Sequence, residues 1–543
     1  MGLFILSACS NSEDEPKVKS DDFQATCSSD WAKPNTLDKL SSCSQSPIEL
    51  TKNFHEEIVK TVTIKNKSFL IVNSILNNTD SSEKIGFKEA SKTSKIKISR
   101  DLRFYDHTSK ETKVLLKNYY IQDMVNYKDK LYVIHREEDG YRLLLSVYDA
   151  NGVLEHSQDL LQKRFAKSEC KHMPYDGNYC YGDDKSLVEQ QIKLKNAKGY
   201  VTVGNSDGNG HNFPRLGQIK IDSEGDIIIF TQTLSFMSGN IYRLKDNGSE
   251  YTVTSKTQLL PSVGILDHFI GGLNGGHELL AFNRYTKENE KKLSINPDGS
   301  GYLAFIVNAR YLLEYGQDFD TDSVPGLTEG IKMFNDSSIP YDENLEVLVR
   351  SYLAVINFDK YGRVVYKKIV PSSVTPDSTL TDLHIVDNHL YIVLTSNTAT
   401  TENTSVYVPK IMKINKDSGE LVESVDVGTY EEDSASIILG STVNKEAGAM
   451  YLTGRTGFIQ NNAGQSITTD GYMSLYKVDL ESLTMNAKYF KFSNRKDVGY
   501  SLEITPSMNE LLIGFAIDGT VTHSADKNIH EGYQKSYIIR HPL

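Results

Sequence analysis

The chain alternates short apolar runs with polar, glycine-punctuated turns, and the clearest unit runs from Thr381 to Gly428. Within it, Leu390-Tyr391-Ile392-Val393-Leu394 is an unbroken run of aliphatic, β-branched and aromatic residues, the composition of a strand buried on both faces. Lys410 to Ile414 alternates apolar with polar positions. Lys416-Asp417-Ser418-Gly419 supplies hairpin turn chemistry, and Leu421 to Val427 alternates again. Four short antiparallel strands in about fifty residues make one blade of a β-propeller.

The rest of the chain repeats this unit loosely. The second-strand signal recurs as Phe69–Val72, Leu131–Ile134, Leu279–Phe282, Met450–Leu452 and Leu511–Ile513. Hairpins ending in Asp or Asn ahead of Gly recur at Ser146–Gly152, Gln218–Gly225, Asn240–Gly248 and Ala354–Gly362, as tight antiparallel turns require. The period is about sixty residues, which points to stacked blades. The fold class is therefore all-β: a β-propeller of seven four-stranded blades over residues 47–543, with eight blades as the alternative. The region 185–260 holds one decorated blade or two abbreviated ones, and roughly 300–350 reads as an insertion. The last unit stops one strand short, and Ile48-Glu49-Leu50-Thr51 is available to complete it and pair two otherwise open edges.

Composition adds limits. Hydrophobic content of 39% and charged content of 24% are those of a globular protein. A net charge of −12 argues against a nucleic-acid partner, for which a basic face is expected. Tyr 31 and Phe 20 against a single Trp suit strands more than a carbohydrate-stacking platform. No run reaches the eighteen apolar residues of a membrane span.

Leu3-Phe4-Ile5-Leu6-Ser7-Ala8-Cys9 resembles the end of a bacterial lipoprotein signal peptide, with Leu6-Ser7-Ala8-Cys9 as its lipobox. The resemblance implies that 1–8 is a signal-peptide remnant, that Cys9 is lipidated, and that the protein sits on the outer membrane, at its periplasmic face or the cell surface. Residues 9–46 then form a polar, disordered tether, since Ser10–Asp22 is acidic and lacks apolar periodicity. An anchor of more than one acyl chain at Cys9 would hold the protein to the membrane without a spanning helix. Cys27, Cys43, Cys170 and Cys180 remain, an even set in two local pairs. Export favours disulfides Cys27–Cys43 and Cys170–Cys180, chosen among three connectivities on locality alone. The rival is a metal site of Cys170, His172 and Cys180, whose spacing matches no standard zinc pattern.

Lys413 to Val425 (KINKDSGELVESV) resembles the repeats of PQQ-like and related bacterial propellers, including the propeller lipoprotein of the outer-membrane barrel-assembly machinery. That resemblance implies a scaffold that binds an envelope protein. It does not extend to the Trp that PQQ-type repeats carry after the turn, because the sole Trp is Trp31, outside the blades.

The sharpest local chemistry lies in the 300–350 segment. Asp318, Asp320, Asp322 and Glu329 stand at positions one, three, five and twelve of a calcium-type loop, although Ser323 replaces the turn glycine. Calcium is the one cofactor this suggests, and an Asp-rich surface loop is the alternative. No metal-spaced histidines and no nucleophile elbow occur. The expected function is an envelope-anchored, protein-binding or scaffolding propeller. A calcium-dependent hydrolase or lyase, or a glycan-binding surface protein, is the alternative.

Overall fold

A computed structural model describes Trp31 and residues 48–49, 56–77, 96–117, 119–137, 143–160, 171–173, 177–179, 214–233, 239–260, 291–308, 319–322, 324, 327, 351–374, 378–401, 404–428, 434–458, 471–492, 497–505, 510–517 and 535–543. A short strand β1 (Ile48–Glu49) precedes the blades. Blade 1 contains β2 (Glu56–Ile64), β3 (Lys67–Asn77), β4 (Ile96–Asp106) and β5 (Thr112–Leu116). Blade 2 contains β6 (Tyr119–Tyr127), β7 (Lys130–Glu137), β8 (Leu144–Tyr148) and β9 (Leu154–Asp159). A separate hairpin follows, β10 (Lys171–Met173) and β11 (Gly177–Tyr179). Blade 3 is β12 (Pro214–Ile221), β13 (Ile227–Thr233), β14 (Gly239–Asp246) and β15 (Tyr251–Leu260). Blade 4 is β16 (Lys291–Ile295), β17 (Gly301–Asn308), β18 (Ser351–Phe358) and β19 (Val364–Val374). Blade 5 is β20 (Thr379–Val386), β21 (His389–Thr401), β22 (Thr404–Asn415) and β23 (Leu421–Asp426). Blade 6 is β24 (Ala435–Asn444), β25 (Ala449–Phe458), β26 (Tyr472–Asp479) and β27 (Met485–Phe490). Blade 7 is β28 (Asp497–Ile504), β29 (Glu510–Ile517) and β30 (Lys535–Pro542), completed by β1.

These are seven four-stranded antiparallel blades, and the chain is a seven-bladed β-propeller. The ring is closed by the pairing expected from the sequence: Ile48 lies opposite Ile538, and Glu49 opposite Tyr537. Blades 1 and 2 also touch through one parallel bridge, Arg100 to Tyr120.

A propeller blade faces a neighbour on each side, so its second strand must be apolar on both faces. Phe69, Leu70, Ile71 and Val72 of β3 are fully buried, as are Leu390, Ile392, Val393 and Leu394 of β21. Each blade–blade interface has its own core. Blades 1 and 2 share Phe69, Phe104, Met124 and Val133, and blades 3 and 4 share Phe230, Phe305 and Phe358. Ile58, Leu70, Leu512 and Ile538 close the interface between blades 7 and 1. Glycine sets the approach of blade 6 to itself: a Cβ on Gly454 would sit 1.8 Å from the Ile437 carbonyl oxygen.

The 185–260 region supplies one blade rather than two. Residues 301–308 are the second strand of blade 4, so the added segment lies between Asn308 and Ser351. Leu279–Phe282 lies outside the described residues. Trp31, though outside the blades, packs on blades 6 and 7. Its ring lies 6.4 Å from Tyr451 and 5.8 Å from His541, with the Lys488 ammonium 4.7 Å above it.

Candidate functional site

The first strand of each blade lines the central channel, and six of the seven carry a register slip; that of blade 3 lies at the strand's start, between Pro214 and Leu216, and the other five lie deeper. The pairing register slips between Ile58 and Lys60 in β2, Ile121 and Asp123 in β6, and Leu380 and Asp382 in β20. It slips again between Ile438 and Gly440 in β24, and between Gly499 and Ser501 in β28. A β-bulge bends its strand and re-aims the next side chain. Here the residue after each of these five slips (Lys60, Asp123, Asp382, Gly440, Ser501) lines a cavity of about 180 Å³ in the channel. Blades 3 and 4 contribute Gln218, Lys220 and Lys292 to the same wall.

Most of these polar groups join one blade to the next. Asp123 accepts from the Lys60 ammonium of blade 1 at 2.6 Å and from the Ile219 N–H of blade 3 at 2.9 Å. Gln218 donates to the Lys291 carbonyl at 2.6 Å and accepts from the Leu293 N–H at 2.9 Å, joining blade 3 to blade 4. Thr381 donates to the Ile438 carbonyl at 2.7 Å, joining blade 5 to blade 6. Glu503 accepts from the Thr63 N–H at 2.6 Å and its hydroxyl at 2.7 Å, joining blade 7 to blade 1. Thr61 and Ser501 hydroxyls meet at 2.9 Å across the same interface.

A denser cluster lies on blades 5 and 6. The Ser441 hydroxyl donates to Asp382 at 3.0 Å and lies 2.7 Å from His384 Nε2, while Asp382 is 3.6 Å from that same nitrogen. A nucleophile–base–carboxylate relay would place the carboxylate on Nδ1, the far side of the ring. Asp382 instead competes with His384 for the serine proton. Burial pushes the Asp382 carboxyl up, but His384, Lys292 and Lys220 outweigh it and hold the group down at about 2. Burial lowers His384, against the pull of Asp382, so its ring is neutral at pH 7.

Two cations stand apart. Lys220 and Lys292 have no hydrogen-bond or ion-pair partner among the described residues. Burial lowers both, taking Lys292 to about 8 against the opposing charges of Asp382 and Asp123. Lys60, Arg100, Lys220, Lys291 and Lys292 line the cavity against only Asp123 and Asp382, so its wall carries an excess of positive charge in a chain of net charge −12.

The residues singled out from sequence lie elsewhere. Cys9, Cys27, Cys43, Cys170, Cys180, Asp318 and Glu329 are outside the described residues. Asp320 lies against the outer strand of blade 4. Its N–H donates to the Lys367 carbonyl, its own carbonyl accepts from the Ile369 N–H, and its carboxylate is 3.4 Å from the Lys368 ammonium. It also receives the Asp322 N–H at 3.1 Å, as in an Asx turn. Among the described residues no group of three or more His, Cys, Asp or Glu is placed to hold a metal. The channel residues were missed. Their available signal was a repeated short pattern one hairpin ahead of the apolar strand, Ile121-Gln122-Asp123-Met124 and Leu380-Thr381-Asp382-Leu383.

No family model matches the chain, and no curated protein does. Among solved structures it is similar to the polysaccharide lyase Uly1, at 9% identity and a TM-score of 0.40 over 96% of this chain and 99% of that one. It is similar to the β-propeller domain of the trilobed protease from Pyrococcus furiosus, at 8% identity and 0.39 over 90% and 98%. The Dos1 propeller matches at 10% identity and 0.37 over 93% and 95%. Likeness at this level carries no argument about activity.

Proposed function

We propose that the protein is a binding module, held at a bacterial envelope by a lipid on Cys9, that presents the propeller to an envelope protein partner and to ligands of its channel. The observation that carries this reading is the division of labour in the channel wall. Asp123, Asp382 and Glu503 accept hydrogen bonds from neighbouring strands and blades, while Lys220 and Lys292 are left without partners. Carboxylates held that way rigidify the ring, and the uncommitted cations are groups that a ligand can satisfy.

Crosslinking pull-down from envelope fractions tests this, using the intact chain and a Cys9→Ala form. One stoichiometric protein partner, lost together with membrane attachment in Cys9→Ala, is the expected result. A soluble protein with unmodified Cys9 would overturn the anchoring. A second reading, a hydrolase or lyase at the channel mouth, draws on the 2.7 Å contact between Ser441 and the neutral His384. It requires turnover that is abolished in His384→Ala.

A further inference from the structure

We infer that the propeller channel is a binding site for a small oxyanion, a carboxylate or phosphate group, held between Lys220 of blade 3 and Lys292 of blade 4. The inference deepens the channel half of the reading above and rests on it.

Lys220 and Lys292 come from consecutive blades and line the same cavity, yet neither has a counter-ion or hydrogen-bond acceptor among the described residues. Both lysines are half-buried, so each gives up part of its hydration in the wall without gaining a partner there. Several other lysines of the fold do gain a partner. Lys60 is on Asp123 at 2.6 Å, Lys410 is on Asp426 at 2.5 Å, and the buried Lys413 donates to the Leu480 and Glu481 carbonyls. The two nearby carboxylates do not fill the gap. Asp123 is held by Lys60 and the Ile219 N–H, and Asp382 by Ser441. Both sit close enough to influence the lysines but too far to pair with them, which leaves two positive donors converging on a space of about 180 Å³.

That geometry selects the ligand by charge and size. The volume takes a small ligand or the polar end of a longer one, and two ammonium donors match the two or three oxygens of a carboxylate or phosphate. Asp382, Ser441 and His384 on the adjoining blades would accept from, or donate to, hydroxyls carried beside the anion. Lys60, already on Asp123, has less to offer. The site is therefore asymmetric around the ring, and the asymmetry is testable.

Isothermal titration calorimetry of the full chain, in low-chloride buffer at pH 7, with inorganic phosphate and separately with malonate, provides the test. Saturable binding of at least one probe is expected. Lys220→Met and Lys292→Met should each weaken it tenfold or more, Lys60→Met should weaken it less, and the exposed Lys110→Met should leave it unchanged. Circular dichroism spectra matching the parent confirm that each variant is folded. Binding of phosphate alone assigns the site to phosphate, and of malonate alone to organic acids. No binding of either probe to the folded parent overturns the inference, as does binding that survives the Lys220→Met/Lys292→Met double variant. An envelope partner captured by a protein that binds neither anion would sink this inference and leave the scaffold reading standing. Anion binding without a partner would do the reverse.

Discussion

Asp123→Ala removes an acceptor that joins three blades. The Ile219 N–H belongs to a fully buried residue and would lose its charged acceptor at 2.9 Å. A hydrogen bond to a charged group contributes about 1.5–3 kcal/mol, and the stranded buried donor lies at the upper part of that range. The Lys60 pair contributes less than 1 kcal/mol more, because the lysine side chain is 34% exposed and solvent screens it. The sum is about 2–4 kcal/mol. Urea denaturation at pH 7, followed by circular dichroism, gives the change as the midpoint shift multiplied by the slope. Asp426→Ala is the control: its pair with Lys410 lies on an outer strand with the carboxylate 60% exposed, so its loss should cost less than about 1 kcal/mol. Burial raises the Asp123 carboxyl, but Lys60 and Lys220 outweigh it and leave the group below its ordinary 3.8. Its folded-state value is thus depressed, so its contribution is complete above pH 3.8 and is lost as the pH falls through that lower value. If Asp123→Ala at pH 7 is no more damaging than Asp426→Ala, the view of the channel carboxylates as inter-blade ties is wrong.

Three further outcomes follow from the same wall and its surroundings. Burial raises Glu503 from 4.5 to about 7 despite the Thr63 hydrogen bonds. The folded state then holds the extra proton between those values, so stability should fall as pH rises from 4.5 to 7, by at most about 3 kcal/mol. Glu503→Gln should flatten that part of a melting-temperature profile, and an unchanged slope would count against it. Gly454→Ala places a Cβ 1.8 Å from backbone that cannot move aside and should cost more than about 3 kcal/mol. Gly448→Ala meets no atom within 4 Å and should cost only about 1 kcal/mol for its positive φ of 59°, so equal melting temperatures for the two would refute the packing argument. Trp31, the one tryptophan, should emit at shorter wavelength when folded than in urea. A native spectrum already at the solvent-exposed maximum would contradict its docking against Lys488 and His541.

The parts of the fold that were legible are those in which local chemistry and tertiary structure agree. Asp149 receives the Asn151 and Val153 N–H groups ahead of Gly152 at φ 74°, and Asp359 receives those of Tyr361 and Arg363 ahead of Gly362 at φ 81°. Such turns announce themselves, as do second strands like Leu390–Leu394. The channel was not legible. Lys60, Asp123 and Asp382 read as ordinary polar positions of alternating strands, and only the register slip before each one turns it to the wall. A slip leaves no mark in the hydrophobic period. Gly301–Asn308 was hidden for a related reason: it sits at the edge of a long added segment, and the apolar run at Leu279–Phe282 competes with it for the same role. Of the calcium-type spacing, Asp320 lies beside the Lys368 ammonium, while Asp318 and Glu329 lie outside the described residues.

The pairing of Ile48 with Ile538 also sets a clock on the protein's birth. The two residues are about 490 positions apart, and the first leaves the ribosome long before the second exists. At about 5–20 residues per second, about 25 to 100 seconds separate them. For that whole interval blade 1 has no neighbour at its open flank, and the apolar Ile58, Leu70 and Val72 await Leu512 and Ile538. Nascent chains of this protein therefore keep that apolar flank uncovered until blade 7 has been made. A chaperone that shields the flank of blade 1 would raise yield more than one that acts on the finished ring.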